Sequence, residues 1–411
     1  MLNKIEQIGK VLVENLNKDR TYLISSNNQR ALQFVSTAMY SEGFKIVLLP
    51  NGFKNLNIDV MQEYNFYDVQ IIETNINGIW ATGMFTSGST ASPKLIIHTK
   101  EQVEYTLEQY KDIYNLTPNS VILSAMPVTY NFTFIAGVLN SYNIGCEFYY
   151  KKPEELLNFI MDNSSRYDKV VILANPVILD SFSIYCKDLE FDNIMIDSGG
   201  APLSTSAIRW FRKRGFDIHE GYGLTETCSL THFDKEASSF SLGSVGKPLG
   251  ESSVNLVIEE NRPMVKIFSP NAGKQIDLYG NLIQDFSDGL LTTDIGKFEY
   301  DNLILLGRYP DVAINGYWPK DTLNLIGEVI GPKCALVQHL SHDNVKVLLW
   351  SDISQEKQKE IQQIISNELK IDKNGVDVVV NSNPLLHSMK LRRFNNEQSV
   401  SKQDSNDHGC N

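Results

Sequence analysis

The amino-acid sequence predicts an α/β protein whose sheets contain parallel strands. Residues 22–26 and 45–49 are short, largely apolar runs of the kind that form strands. Between them, residues 30–40 place apolar side chains at helical spacing, so the three segments form a strand–helix–strand unit, which favours parallel pairing. Further short apolar runs predict strands at 121–125, 169–173 and 193–196, and Thr99 with Gln102 predicts a capping box at the start of a helix. A change of character near residue 312 predicts a second, smaller α+β unit. It contains an amphipathic helix whose apolar stripe is Ile361, Ile364, Ile365 and Leu369.

The composition is that of a folded protein with two or more domains. The 411 residues are 42% hydrophobic and 21% charged, and the formal net charge is −12. This charge argues against general nucleic-acid binding, because phosphate backbones repel acidic proteins. No run of about 18 apolar residues predicts a membrane span, and the first residues lack the apolar core of a signal peptide. Five scattered cysteines form no metal-binding pair and are typical of reduced thiols in the cytoplasm.

One polar run stands between two apolar segments and has the composition of a phosphate-binding loop. Its hydroxyl side chains, one glycine and one lysine are Thr86, Ser87, Gly88, Ser89, Thr90 and Lys94. Backbone N–H groups and hydroxyls can donate to phosphate oxygens, the glycine allows close approach, and the lysine adds positive charge. The spacing is not that of a Walker loop. Taken alone, a solvated Ser/Thr turn explains the run equally well.

Later segments continue the pattern of polar groups placed at the ends of predicted strands. Residues 197–203 read Asp-Ser-Gly-Gly-Ala-Pro-Leu, and residues 220–226 read Glu-Gly-Tyr-Gly-Leu-Thr-Glu. Two glycines after a strand let a flat base lie against the backbone. Asp294 and Arg308 follow in a region of short β-like runs, and Lys390 lies six residues after Pro384.

Taken in order, these motifs resemble those of the adenylate-forming superfamily, which includes acyl-CoA synthetases, aryl-acid activating enzymes and adenylation domains. Ala91 stands where the family's phosphate loop usually has a second glycine. The resemblance implies a large domain over residues 1–310, with parallel-type sheets, helices and a small β-barrel, and a shortened N-terminal lobe. It also implies a mobile α+β cap over residues 311–394. The polar residues 395–411 predict a disordered tail.

The resemblance also implies roles for individual residues. The phosphate loop would hold ATP phosphates, Tyr222 would stack on adenine, Thr225 would bind the α-phosphate, and Glu226 would hold Mg²⁺. Asp294 and Arg308 would bind the ribose. Further nucleotide-binding residues would be Gly199, Gly200, Ala201, Pro202, Glu220 and Gly221. The catalytic residues would be Lys94, Thr225, Glu226 and Lys390, and Asp311 would be the hinge.

The predicted substrate pocket centres on Tyr130 and Asn131, within a segment that echoes the His-Asn-Tyr run of aryl-acid activating members. Ser198 and Cys228 are assigned to the same pocket. The alternative for residues 130–132 is an ordinary turn from a strand into a helix. Family members that activate α-amino acids carry an aspartate where this chain has Asn131, so the uncharged side chain favours an aryl or acyl acid.

The implied reaction is ATP-dependent activation of a carboxylic acid as acyl-AMP, with Mg²⁺. Transfer to a thiol follows, either coenzyme A or the phosphopantetheine arm of a carrier protein. A basic face on the predicted helix 205–214 slightly favours an acidic carrier protein. The alternative from another functional class is a non-catalytic ATP- or AMP-binding relative. It is motivated by the shortened N-terminal lobe and by Ala91, Thr293 and Met389, which replace family glycines.

Overall fold

The structure is a computed structural model, which describes residues 2–50, 59–86, 94–186, 192–350 and 353–380. The α-helices within these ranges are Leu2–Asn15 (α1), Gln29–Ser41 (α2), Lys100–Tyr114 (α3), Asn140–Ile144 (α4), Pro153–Asn163 (α5), Pro176–Tyr185 (α6), Thr205–Arg212 (α7), Pro319–Ile330 (α8) and Gln355–Leu369 (α9). A π-helix covers Thr133–Leu139, and short 3₁₀ turns lie at Ser164–Arg166, Thr225–Thr227 and Lys373–Gly375. Across the described ranges, none of the helices combines the length and the apolarity needed to cross a membrane.

The strands follow in chain order. The first eleven are Thr21–Ser25 (β1), Lys45–Leu48 (β2), Val60–Phe66 (β3), Val69–Thr74 (β4), Thr82–Thr86 (β5), Lys94–His98 (β6), Val121–Ser124 (β7), Glu147–Tyr150 (β8), Val170–Ala174 (β9), Ile194–Ser198 (β10) and Asp217–Tyr222 (β11). The others are His232–Phe233 (β12), Lys247–Pro248 (β13), Ser253–Glu259 (β14), Arg262–Phe268 (β15), Lys274–Ile276 (β16), Leu282–Asp285 (β17), Leu290–Glu299 (β18), Asn302–Arg308 (β19), Ala335–His339 (β20), Val345–Leu349 (β21) and Val376–Val380 (β22).

Two large sheets carry the body of the protein. The eight-stranded sheet has the order β17-β16-β6-β5-β2-β1-β4-β3, and the seven-stranded sheet has the order β13-β12-β11-β10-β9-β7-β8. β1 and β2 pair in parallel with α2 between them in the chain, which confirms the predicted strand–helix–strand unit. In the second sheet β8, β7, β9, β10 and β11 are parallel to one another, whereas β12 pairs antiparallel with β11. The α/β class predicted from the sequence is confirmed.

The main hydrophobic core brings both large sheets and their helices together. Its fully buried members come from α1, α2, α3, the π-helix and strands of both sheets, for example Leu12, Val35, Tyr110, Phe134 and Ile196. α3 begins with the predicted capping box: Gln102 N–H donates to Thr99 Oγ1 over 3.4 Å, and Thr99 N–H donates to Gln102 Oε1 over 2.9 Å. The cap fixes the direction in which α3 leaves the first sheet.

The region after β13 differs in detail from the expectation of a small β-barrel. β14, β15, β18 and β19 form a four-stranded antiparallel sheet. The intervening strands β16 and β17 join the eight-stranded sheet instead, because β16 pairs with β6. α7 ends at Arg212, two residues earlier than the predicted helix, since the next residues form a turn that Gly215 completes at a φ of +80°.

A separate small core lies beyond residue 311. β20, β21 and β22 form a three-stranded sheet, and α8 and α9 supply buried residues against it, including Ile326, Ile361 and Ile365. Ile361, Ile365 and Leu369 lie on the helical stripe predicted from the sequence and are fully buried. The first buried residue of this core, Ile314, lies close to the change in sequence character near residue 312.

Candidate active site

An aspartate held between two donors lies where the four-stranded sheet meets the end of β11. Asp294 on β18 and Arg308 on β19 are direct cross-strand partners. Arg308 Nε donates to Asp294 Oδ1 over 2.6 Å, and the Tyr222 hydroxyl donates to Asp294 Oδ2 over 2.8 Å. Asp294 is 4% exposed, and its charge raises the pKa of Arg308 above its ordinary value. The three residues that the sequence assigned to ribose and adenine therefore form one hydrogen-bonded group.

The segment after Tyr222 presents Thr225 and Glu226. A Cβ atom on Gly223 would lie 2.1 Å from the carbonyl oxygen of Ser229, so the chain can turn here only with glycine. Thr225 begins a 3₁₀ turn, and both Thr225 and Glu226 are half-buried. The Gly273 N–H donates to the Glu226 carbonyl over 2.8 Å, which ties this turn to the start of β16.

His98 supports the same turn from behind. It ends β6, is 1% exposed, and faces the backbone of Thr225 and Glu226. Burial lowers its pKa to about 4, so the ring is neutral at neutral pH. Sequence reasoning did not single out His98, although its place at the end of the strand that follows the phosphate loop was a usable signal.

The residues that flank the predicted phosphate loop belong to one antiparallel hairpin. Thr86 ends β5, Lys94 begins β6, and the two residues are direct cross-strand partners. Thr86 is 8% exposed, whereas Lys94 is exposed. The predicted phosphate-binding residues Ser87, Gly88, Ser89 and Thr90 lie outside the described residues. Thr86 and Lys94 thus lie side by side at the same end of the β5–β6 hairpin.

The predicted adenine loop, residues 199–202, follows β10. Gly199 N–H donates to the Ala174 carbonyl over 3.0 Å, and Gly200 has a φ of +85°, which favours glycine. A Cβ on Gly199 would contact the Phe132 ring at 3.3 Å, and one on Gly200 would lie 3.8 Å from the Tyr130 hydroxyl. Ala201 and Pro202 are half-buried. The structure thus brings the predicted acid-pocket segment against the adenine loop.

Two polar side chains beside this contact have no hydrogen-bond partner among the described residues. The atoms without a partner are the amide nitrogen and amide oxygen of Asn131 and the hydroxyl oxygen of Ser198, and all three are buried. Leaving a buried polar group without a hydrogen bond destabilises the folded protein by about 1–3 kcal/mol. Such groups therefore commonly bind water or a ligand. Asn131 precedes Phe132 and Ser198 precedes Gly199, so both flank the contact between the two segments. The position suits the reacting end of a bound acid.

Cys228, the fourth residue assigned to the pocket, lies in a different environment. It is fully buried, forms a hydrogen bond with Thr106 of α3, and lies close to Tyr40 of α2. Burial raises the pKa of its thiol to about 12, so the group stays protonated. These contacts belong to the main core, and the assignment of Cys228 to the pocket stays a prediction.

The remaining predicted site residues include Glu220, Gly221, Asp311 and Lys390. Glu220 Oε1 accepts from Leu203 N–H over 3.1 Å, and Gly221 lies against Asp197. Asp311 is 2% exposed, and its Oδ2 accepts from Arg308 N–H over 2.8 Å. This contact anchors the proposed hinge to the end of β19. Lys390 lies outside the described residues.

A buried network beneath the adenine loop was not predicted. Asp197 is fully buried one residue before Ser198, and the Tyr114 hydroxyl donates to its Oδ2 over 2.5 Å. Burial raises the pKa of Asp197 to about 7, partly opposed by the Tyr114 bond and by His219. The sequence placed this aspartate at the end of a strand but gave no sign that a tyrosine 83 residues away would bind it.

The donor set at Glu226 fits a Mg²⁺ ion that is also bound by nucleotide phosphates. No cluster of three or more His, Cys, Asp or Glu side chains suited to metal occurs in the part of the chain that the structure describes. One half-buried carboxylate beside Thr225 is nevertheless an appropriate ligand, since Mg²⁺ usually keeps waters and substrate phosphates.

Residues 73–270 match the family model described as AMP-binding enzyme. The chain is 28% identical over 288 residues to 2-succinylbenzoate–CoA ligase of Bacillus licheniformis, covering 64% of this chain and 55% of the relative. It is 24% identical to 3,4-dihydroxybenzoate–[aryl-carrier protein] ligase of Bacillus anthracis, covering 56% of this chain and 50% of the relative. The chain thus spans about half the length of these curated relatives.

Solved structures share the fold. The AMP complex of O-succinylbenzoate coenzyme A synthetase from Bacillus subtilis superposes with a TM-score of 0.68 at 19% identity, covering 95% of this chain and 91% of that one. ATP-bound MatB from Rhodopseudomonas palustris gives a TM-score of 0.70 at 15% identity, covering 94% and 90%. Over residues 73–270 the chain is therefore similar to AMP-binding enzymes, in agreement with the resemblance of its motifs to those of the adenylate-forming superfamily.

Proposed function

We propose that this protein activates a carboxylic acid with ATP and Mg²⁺, forming acyl-AMP, and then transfers the acyl group to a thiol. The observation that carries the proposal is the hydrogen-bonded group of Tyr222, Asp294 and Arg308 beside Thr225 and Glu226. An aspartate that keeps further acceptor capacity suits ribose hydroxyls. The curated relatives support this reading, since they are named as ligases that join an acid to coenzyme A or to an aryl-carrier protein.

The first step joins two anions, so it needs neutralisation of charge more than proton transfer. A carboxylate oxygen attacks the α-phosphorus of ATP, the bond from that phosphorus to the bridging oxygen breaks, and pyrophosphate leaves. Lys94 and Lys390 would supply positive charge, Glu226 would hold Mg²⁺, which adds further positive charge when bound, and Thr225 would donate to the α-phosphate. Further donors come from Thr86, Ser87, Ser89 and Thr90. In the second step a thiol sulfur attacks the acyl carbon, and AMP leaves.

We propose an aryl acid as the substrate class. Tyr130 and Phe132 lie against the adenine loop and offer aromatic surface, while the Asn131 amide offers a neutral donor and acceptor. An amide can bind a carboxyl or ring substituent without adding a second negative charge. An α-ammonium group would find no carboxylate at position 131 to pair with, which disfavours amino acids.

Coenzyme A is the thiol acceptor that we propose, with a carrier protein as the alternative. The basic face of the predicted helix 205–214 had favoured a carrier protein, but three of its basic side chains have partners within the chain. Arg209 pairs with Glu328 at 3.6 Å, Arg212 pairs with Asp234 at 3.7 Å, and the Arg214 guanidinium lies 3.5 Å above the Trp210 ring. A surface with these internal partners offers less to an acidic protein.

The division into a large domain over residues 1–310 and a cap over residues 311–394, with Asp311 as the hinge, is part of the same proposal. Its support is the separate hydrophobic core that runs from Ile314 to Val376. A cytoplasmic location, the absence of nucleic-acid partners and the disordered tail at 395–411 stay predictions from composition.

The deciding experiment is acid-dependent exchange of pyrophosphate into ATP over a panel of aryl, fatty, short-chain and amino acids. We expect exchange with an aryl acid, abolished in Glu226→Gln at limiting Mg²⁺. It should be unchanged in Glu236→Gln, which removes an exposed carboxylate that pairs with Lys247. ATP binding without exchange for any acid would instead support the non-catalytic alternative. Coenzyme A and a phosphopantetheinylated carrier protein are then compared as acceptors.

A further inference from the structure

The first turn of α8 carries a lysine that is almost completely buried. Lys320 is 4% exposed, and its Nζ donates to the Leu203 carbonyl over 2.6 Å. The same Nζ lies 3.8 Å from Glu220 Oε1. A lysine is rarely buried to this extent unless its charge is paired, so the position indicates a specific task.

Glu220 completes the arrangement from the other side. Its Oε1 accepts from the Leu203 N–H over 3.1 Å, and the residue is 4% exposed. Burial raises the pKa of Glu220, and the charge of Lys320 opposes that rise. Glu220 Oε2 is buried with no hydrogen-bond partner within the described ranges, so the carboxylate depends on nearby positive charge. We call this the Leu203 clamp: Glu220 holds the N–H of Leu203, and Lys320 holds its carbonyl.

The Leu203 clamp fixes one end of the adenine loop. Leu203 follows residues 199–202 directly, and the other end of the loop is fixed by the bond from Gly199 N–H to Ala174. Two adjacent glycines give the loop wide backbone freedom, so its shape depends on how its ends are held. One end is therefore held within the large domain alone, whereas the other is held by Glu220 of the large domain together with Lys320 of the cap.

We propose that Lys320 is a positioning residue through which the cap controls the affinity of the adenine loop for nucleotide. This inference rests on the proposed function, because it uses the same nucleotide site. When α8 is seated, the Leu203 clamp holds the loop in the shape that accepts adenine. By thermodynamic reciprocity, bound nucleotide then stabilises the seating of α8.

Other contacts between α7 and α8 supply a matched control. Ser206 Oγ donates to Glu328 Oε1 over 2.6 Å, and Glu328 pairs with Arg209, but all three lie on the exposed side of the interface. Glu328→Ala weakens the seating of α8 without touching Leu203. Lys320→Met removes the buried charge and keeps the length of the side chain.

The test measures AMP binding by calorimetry and the KM for ATP in the exchange reaction. Lys320→Met should weaken AMP binding and raise the KM for ATP at least tenfold, with the KM for the acid changed less than threefold. Glu328→Ala should leave all three within twofold. Glu220→Gln combined with Lys320→Met should recover part of the lost affinity, because no unpaired buried carboxylate remains.

A second measurement needs no variant. AMP should slow hydrogen exchange at least tenfold in peptides from residues 319–330 of the wild-type protein. Unchanged exchange there, or equal AMP affinity in wild type and Lys320→Met, would overturn the role of Lys320. Equal losses of AMP affinity in Glu328→Ala and Lys320→Met would also overturn it, because weaker contact between α7 and α8 would then explain both losses. A wild-type protein that binds no AMP would overturn the proposed function as well.

Discussion

Individual residues acquire their roles here from partners that are distant in sequence. Asp294 is held by Tyr222 from 72 residues earlier and by Arg308 from 14 residues later. The family resemblance predicted that all three residues bind nucleotide. It did not predict that they bind one another, because the pairing of β18 with β19 and the position of β11 are properties of the folded sheets.

Asp294→Asn should raise the KM for ATP about ten- to hundredfold. The amide cannot form the charge-assisted bond to Arg308, and such bonds are worth about 1.5–3 kcal/mol. The measurement is ATP–pyrophosphate exchange at varied ATP concentrations. Asp285→Asn, which alters the salt bridge to Lys274 on another hairpin, is the control and should leave the KM unchanged. An unaltered KM in Asp294→Asn would remove Asp294 from the nucleotide site.

Asn131→Asp should lower exchange with the preferred aryl acid at least tenfold and leave the KM for ATP unchanged. The reason is that a carboxylate buried at this position would face the negative charge of the substrate. Asn131→Ala is the matched control, since it removes the amide atoms without adding charge. If the aspartate and alanine variants showed the same acid preference as wild type, position 131 would lie outside the acid pocket.

Burial of Asp197 should make the free energy of unfolding of the protein fall as pH rises. Its pKa is about 7 in the folded protein against an ordinary value of 3.8, so the folded state retains a proton that the unfolded chain releases. The resulting stabilisation is complete below about pH 4 and is lost as pH rises through about 7. The difference corresponds to roughly 4 kcal/mol.

Asp197→Asn should abolish this part of the pH dependence, because the amide stays neutral and its oxygen can still accept from Tyr114. The measurement is the urea denaturation midpoint at pH 5 and pH 8 for both proteins. We expect the wild-type midpoint to fall more than that of the variant. Parallel pH dependence in the two proteins would show that Asp197 ionises normally.

Among the helices and strands, the sequence predicted the features that depend on residues close together in the chain. The predicted strands at 121–125, 169–173 and 193–196 were confirmed to within one or two residues at each end, and the capping box of α3 was confirmed atom by atom. The hairpin of β3 and β4 was not predicted, because β3 is largely exposed and carries no clear apolar alternation. The pairing of β16 with β6 was also missed, since no local pattern encodes it.

Gly223→Ala should disrupt the turn that presents Thr225 and Glu226. The added Cβ would lie 2.1 Å from a backbone oxygen that cannot rotate away, so the segment has to shift. We expect a melting temperature lowered by several degrees, or about 1–3 kcal/mol, and loss of AMP binding. Gly43→Ala is the control, because it is strained by its φ of +81° but meets no atom within 4 Å. Equal AMP affinity in the two variants would contradict the requirement for glycine at 223.

For the whole molecule, the sequence predicted two units but not the contacts between them. The large unit and the cap meet at buried groups: Lys320 binds Leu203, and the Cys334 N–H donates to Asp180 Oδ2 over 2.8 Å. Such contacts depend on two separately folded surfaces, so a linear motif cannot reveal them. Lys390, which the resemblance makes catalytic, lies outside the described residues.

Lys390→Ala should reduce acyl-adenylate formation by about two to three orders of magnitude, since removing one buried contact to developing charge costs about 3–4 kcal/mol. It should largely spare thioester formation from a chemically synthesised acyl-adenylate. The proposed reason is that the two steps use different poses of the cap. Both half-reactions are measured on one folded preparation, with Lys370→Ala as a cap-surface control. Equal losses in the two half-reactions would rule out a role confined to the first step.

The pairing of β16 with β6 has a consequence for synthesis on the ribosome. β6 ends at residue 98, whereas β16, which pairs with it, spans residues 274–276. The edge of β6 that contains Leu95, Ile96 and Ile97 therefore has no strand partner until more than 170 further residues have been translated. Open strand edges are templates for aggregation. Nascent chains and fragments that stop before residue 274 therefore lack the strand that covers this edge of β6, and only the later strand closes it.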